Sequence, residues 1–150
     1  MLTARHVGWW SRVYAIEVDG HEIMRVSRTW LGAMSLETSA GTYLITRSWF
    51  SGRATLALDG TVVAHAEPVS IWRGDVRISG EGLTITLRRT GWRHAGFSVI
   101  GDAGVIGSIT KPGLFSSTWC IDLPMTVPVL LQCFAAAIAM AREADAAAAA

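Results

Sequence analysis

Charge is scarce in this chain of 150 residues: 17% are Asp, Glu, Lys or Arg, and their formal sum is only +1. That balance creates no strong net field, so nucleic acid is not among the expected partners. Only two cysteines occur, Cys120 and Cys133, with neither metal-ligand spacing nor the makings of a disulfide framework. They read as two reduced, buried thiols of a cytoplasmic protein. Arg5 and His6 near the N-terminus are not followed by an apolar h-region, so no secretory signal is expected. The four histidines, His6, His21, His65 and His94, fall in separate segments without an i, i+4 pair, and no metal site is expected. No G-x-S-x-G occurs, since Gly96-Phe-Ser98 lacks the second glycine. The carboxylates are scattered, and no pair has the arrangement of an acid and base. Gly80-x-Gly82 and Gly104-x-x-Gly107 precede no helix that could cradle a phosphate. No cofactor is expected, and the reading favours a protein that is not an enzyme.

What is present is a rhythm of short strands. Asp19-Gly20 and Asp59-Gly60 are two-residue hairpin signals, each flanked by alternating apolar residues. Thr38-Ser-Ala-Gly41, Ser51-Gly52, Gly80-Glu-Gly82, Gly101-Asp-Ala-Gly104 and Lys111-Pro-Gly113 punctuate the remainder. Leu83–Arg89 alternates cleanly, with Leu83, Ile85 and Leu87 on one face and Thr84, Thr86 and Arg88 on the other. A run from Thr29 to Glu37 is interrupted at Gly32, the mark of a bulge, and Val69–Trp72 reads as a short strand after Pro68. About a dozen strands at such even spacing predict an antiparallel meander forming a barrel or a sandwich. Neither a linker nor a shift in composition divides the chain, so residues 1–145 form a single domain.

One stretch departs from this rhythm. From Val129 to Arg142 the residues are good helix formers without Gly or Pro. Pro128 suits the first turn and Thr126 an N-cap, which places the helix over about 126–142. Its large side chains cover every face, so it must be enclosed by protein or by lipid. The regular part, Pro128 to Ala141, rises roughly 21 Å, short of the roughly 30 Å of a hydrocarbon core. Enclosure by the protein's own sheet is therefore expected, with a tail-anchored membrane protein as the alternative. Twelve strands in one sheet leave an interior too wide for their side chains to fill, and an apolar helix plugs it. Gln132 within that helix then needs a backbone carbonyl or a water as partner. Ala146–Ala150 has nothing large to bury and is expected to be a disordered tail.

Gly104-Val-Ile-Gly107-Ser-Ile109, Trp119-Cys-Ile121-Asp122-Leu-Pro124, then Pro128 and Leu131-Gln-Cys-Phe134 resemble the closing segment of the tubby C-terminal-like superfamily, in the branch of LURP-one-related proteins and phospholipid scramblases. Tyr43-Leu-Ile-Thr-Arg47 and Gly60-Thr-Val-Val-Ala64 are similar to strand pairs of the same family. The resemblance implies a mainly β domain, a closed antiparallel barrel of about 12 strands around a central C-terminal hydrophobic helix, in a small bacterial-type member. It implies little about activity. The chain lacks the dense basic surface of the family's phosphoinositide binders and the calcium-binding segment of scramblases, so neither activity carries over.

One cluster stands above the background. Arg88, Arg89, Arg93 and Lys111, with Arg73 and Arg77 a strand or two earlier, fall on adjacent hairpins beside Trp92. Cations beside an exposed indole suit an anionic headgroup or an anionic protein. The expected function is a non-catalytic binding or scaffold domain, cytoplasmic and peripheral to the membrane, meeting an anionic phospholipid surface or a protein partner. The alternative is a small-ligand carrier or enzyme using a cavity at one barrel end.

Overall fold

Three residues with positive φ outside glycine, Asp19, Asp59 and Glu81, each precede a glycine with positive φ, and each pair forms the turn of a hairpin. Two successive left-handed residues twist a two-residue loop to match its flanking strands. The computed structural model describes residues 1–8, 12–28, 33–48, 51–70, 74–91, 96–113 and 116–149. Within them run β1 (Leu2–His6), β2 (Val13–Val18), β3 (His21–Arg28), β4 (Met34–Thr38), β5 (Gly41–Arg47) and β6 (Ala54–Leu58), followed by β7 (Thr61–Pro68), β8 (Val76–Gly80), β9 (Leu83–Arg89), β10 (Gly96–Gly101), β11 (Gly104–Thr110) and β12 (Thr118–Asp122). A single helix, α1 (Val129–Ala148), follows.

Each strand pairs antiparallel with its neighbours in sequence, and β1 pairs with β12 through Leu2↔Ile121 and Ala4↔Trp119. The sheet is thus a closed barrel rather than a sandwich, and closure leaves no free edge. Alternate side chains point inward: Ala4, Ile16, Val26, Leu36, Ile45, Leu56, Ile78, Leu87, Val99, Ile109 and Ile121 are all buried. Every residue of α1 from Leu131 to Ala141 is buried whatever direction it faces, which requires enclosure on all sides. Near its C-terminal end α1 touches β3, β5, β9 and the β7–β8 connection, which span half of the circumference, and with β1, β2 and β4 it lines a common cavity. It is the barrel's axis. No helix among the described residues is long and apolar enough to cross a membrane.

The helix differs from expectation at both ends. Pro128, not Thr126, is the N-cap residue, and no side-chain cap is made. Gln132 takes over that corner by donating from Nε2 to the carbonyl of Val127 at 2.8 Å and that of Pro124 at 3.4 Å. Its amide therefore has the carbonyl partner expected of a buried group. At the other end α1 runs to Ala148, so most of the alanine tail is helical. Alanine has the best helix propensity, and Asp145 is held by two arginines of the wall. The third run also shortens: β4 begins at Met34, and Thr29–Gly32, with the expected bulge, lies outside the described residues. No strand covers Val69 and Ser70, while Ile71 and Trp72 lie outside the described residues.

Candidate functional site

The barrel's two ends are chemically different. One carries the short turns between β2 and β3, β4 and β5, β6 and β7, β8 and β9, and β10 and β11. Asp19, Asp59, Glu81 and Asp102 lie in these turns, and Asp122 ends β12 beside them. The other end carries the longer connections, starting with that from β1 to β2. There, Arg12, Arg28, Arg47, Arg53, Arg77, Arg88, Arg89 and Lys111 each lie within one residue of a strand end. Arg142 of α1 reaches the same end, donating to the Gly74 carbonyl at 3.5 Å. Arg5 and Arg25 pair instead with Glu17 and Glu22 on the barrel wall. The described acids at the basic end, Glu67, Asp75, Glu143 and Asp145, are all in ion pairs with arginine. A formal charge of +1 thus conceals strong polarity along the barrel axis.

Within the basic end, strand alternation sorts the arginines into two shells. Arg28, Arg47 and Arg89 are the last residues of β3, β5 and β9, two positions beyond the inward-facing Val26, Ile45 and Leu87. All three turn in towards α1: Arg28 and Arg47 meet Asp145 at 3.5 and 2.5 Å, and Arg89 meets Glu143. This collar also complements the negative end of the helix dipole. Burial and the neighbouring Arg47 hold the Arg142 guanidinium below its ordinary pKa. Arg88, one residue from Arg89, faces out and meets the buried carboxylate of Asp75 at 3.2 Å.

The cluster expected from sequence is accordingly divided. Arg88 and Arg89 lie on opposite faces of β9, and Lys111 follows β11, two strands away. Arg77 pairs with Glu67 at 3.5 Å on the outer wall. Arg73, Trp92 and Arg93 lie outside the described residues. Two members of the inner collar, Arg28 and Arg47, were not singled out in sequence. Their signal was available: an arginine two positions after an inward apolar residue, at the end of an odd-numbered strand.

Between α1 and the first four strands, at this end, lies a cavity of about 380 Å³. Its described lining includes Val26, Met34, Ala137, Met140, Ala141 and Ala144, with His6, Arg12, Tyr14, Arg28 and Asp145 as its polar part. His6 and Tyr14 oppose each other across β1 and β2 and meet edge to face, with ring centroids 5.1 Å apart. Burial raises the Tyr14 phenol above its ordinary pKa. Among the described residues, no three His, Cys, Asp or Glu side chains are grouped so as to hold a metal ion.

Both cysteines are free thiols. Cys133 faces the core, and burial pushes its thiol up to about 12, whereas Cys120 on β12 is partly exposed. A thiol-specific chromogenic reagent at pH 8 is therefore expected to label one thiol of the native protein, Cys120, and both after denaturation. Rapid labelling of Cys133 in the native state would contradict the enclosed helix. The native pKa of Cys133 lies above its unfolded value, so its contribution to stability is complete below about pH 9 and is lost as pH rises towards 12.

No protein-family model, curated protein or solved structure matches this chain.

Proposed function

We propose that the protein is a non-catalytic binding domain of tubby-like type that presents its basic end to an anionic phospholipid surface, as a cytoplasmic protein peripheral to the membrane. The observation that carries this reading is the segregation of charge along the barrel axis. A surface of one sign on one end orients the molecule as it approaches an oppositely charged plane, even when its net charge is small. The sequence adds a second support. Trp9-Trp10, Trp30, Trp49-Phe50, Trp72, Trp92 and Phe115, all outside the described residues, belong to the six connections that join strands ending on the basic side. Indoles are at home between headgroups and acyl chains. The tubby-like assignment is supported by the axial helix, and by a close approach of the two quoted motifs at Gly107 and Asp122.

Sedimentation with vesicles tests the reading. The protein is expected to bind phosphatidylserine-containing vesicles at low salt, with a blue shift in tryptophan emission, and to ignore phosphatidylcholine alone. Raising salt should release it through screening. Replacing Arg88, Arg89, Arg93 and Lys111 together with Ser should weaken binding by about a thousandfold, at about 1 kcal/mol for each cation near the surface. That variant exposes Asp75 and Glu143 to loss of their partners, so Lys111→Glu alone provides a milder version. Asp59→Asn at the opposite end should leave binding unchanged, since Asn also tolerates the φ of 50° there. Wild-type protein that ignores anionic vesicles at low salt ends the lipid reading.

A further inference from the structure

We infer that the cavity between α1 and β1–β4 is a binding site for a monocarboxylate with an unbranched apolar tail, of about the size of decanoate. This goes beyond the membrane reading and does not depend on it. On one face of α1, at i, i+3 and i+7, Leu131, Phe134 and Ile138 fill the core with large side chains. Towards the first four strands the same helix presents Ala137, Ala141, Ala144 and Ala148, and the space they leave is not taken up by the wall. Met34 and Met140 complete an apolar floor with side chains that adapt to a guest. An apolar void forfeits the dispersion contacts of its lining, and a hydrocarbon chain restores them. The volume of about 380 Å³ falls at the lower end of the range for small-molecule pockets, which suits a ligand of decanoate's size.

The polar side of the cavity selects the head group. Arg28 has a buried Nε without a hydrogen-bond partner among the described residues. Its Nη2 reaches Asp145 only at 3.5 Å, while Arg47 holds the other oxygen of that carboxylate at 2.5 Å. Asp145 therefore satisfies Arg47 and leaves much of the Arg28 guanidinium unused. A guanidinium pairs well with a planar carboxylate; the buried Nε is out of a ligand's reach, so the head group meets the Nη end, which lies 3.5 Å from Asp145. An alcohol or an uncharged amide offers one weaker acceptor. The exposed Asp145 and Ala148 at the last turns of α1 mark where the cavity meets solvent. A ligand entering there would place its head at the rim and its tail along the alanine stripe.

Titration calorimetry with the full chain decides the matter, using sodium decanoate below its micellar concentration, 1-decanol and sodium acetate. Decanoate is expected to bind with one-to-one stoichiometry, decanol at least tenfold more weakly, and acetate not measurably. Arg28→Met should weaken decanoate at least tenfold, and Ala144→Phe, at an exposed position on the cavity wall, should abolish its binding. If Arg28→Met fails to fold, Ala144→Phe and the comparison of decanoate with decanol still decide. Absence of binding by wild-type protein overturns the inference, as does equal affinity for decanol. So does decanoate binding that both variants leave intact, which would mean association elsewhere on the surface. Run at a salt concentration that releases the protein from vesicles, the titration also separates this site from the membrane reading, because a partly buried pair is screened less than surface charges.

Discussion

Phe134→Asp is expected to yield no folded protein. Phe134 is fully buried in the second turn of α1, within the enclosed run from Leu131 to Ala141. Truncating such a ring to Ala costs about 3–5 kcal/mol through lost transfer energy and the cavity left behind. A carboxylate adds the cost of burying an unpaired charge, several kcal/mol more after any relaxation. Together these are comparable with the roughly 5–15 kcal/mol that holds a domain of ordinary stability together. The partial escape is protonation, which still leaves a polar group without partners in an apolar core. Soluble yield and the far-ultraviolet thermal transition provide the measurement, with Phe134→Leu as a control expected to lose less than about 1.5 kcal/mol. A soluble Phe134→Asp variant with a cooperative melt would refute the enclosed helix.

The second large effect is expected at Gly107. A Cβ placed there would sit 2.0 Å from the carbonyl oxygen of Asp122 and 2.9 Å from Leu123 Cδ2. The oxygen belongs to the backbone of β12, which pairs with β11 at Ser108↔Asp122, so it cannot rotate away like a side-chain tip. Gly107→Ala must push the two strands apart, and about 3 kcal/mol of destabilisation is expected, the upper end of ordinary overpacking. For a domain of this size that is a fall in Tm of about 10 °C. Gly20→Ala makes an instructive comparison. Its φ is +80° and nothing lies within 4 Å of the added carbon, so only the left-handed conformation resists, at about 1–2 kcal/mol. A Gly107→Ala variant as stable as wild type would mean that β11 and β12 do not approach so closely.

The strands were legible because their turns are: Asp19-Gly20 and Asp59-Gly60 admit few conformations, and the alternation in Leu83–Arg89 recurs in its burial. The helix was legible because apolar residues on all sides leave only enclosure. Its ends were not, since a capping side chain such as Thr126 competes with others nearby, and Gln132 reaches the same corner from inside the helix. The site was legible only as composition. Arg88 and Arg89 are neighbours in the chain, yet a two-residue period sends them to opposite faces, one to Asp75 and the other to Glu143. Arg28 and Arg47 are far apart in sequence and meet on one carboxylate, Asp145, because both close odd-numbered strands. Net charge gave no hint of the axial polarity, because a sum over residues discards which end of a strand each one occupies.

The pairing of β1 with β12 around a helix that follows both has a consequence for the order of assembly. Synthesis delivers all twelve strands before α1, so the sheet can curl hairpin by hairpin while its apolar concave surface still faces water. The seam cannot be sealed over an empty lumen without stranding that surface around a void. Nor can α1 be threaded afterwards through a finished wall. Gathering the helix in while the seam is open avoids both, and it makes pairing of the first strand with the last the late step. Chains stalled before the helix would present both a long open edge and a bare apolar trough, the features that chaperones hold and that drive sheet aggregation.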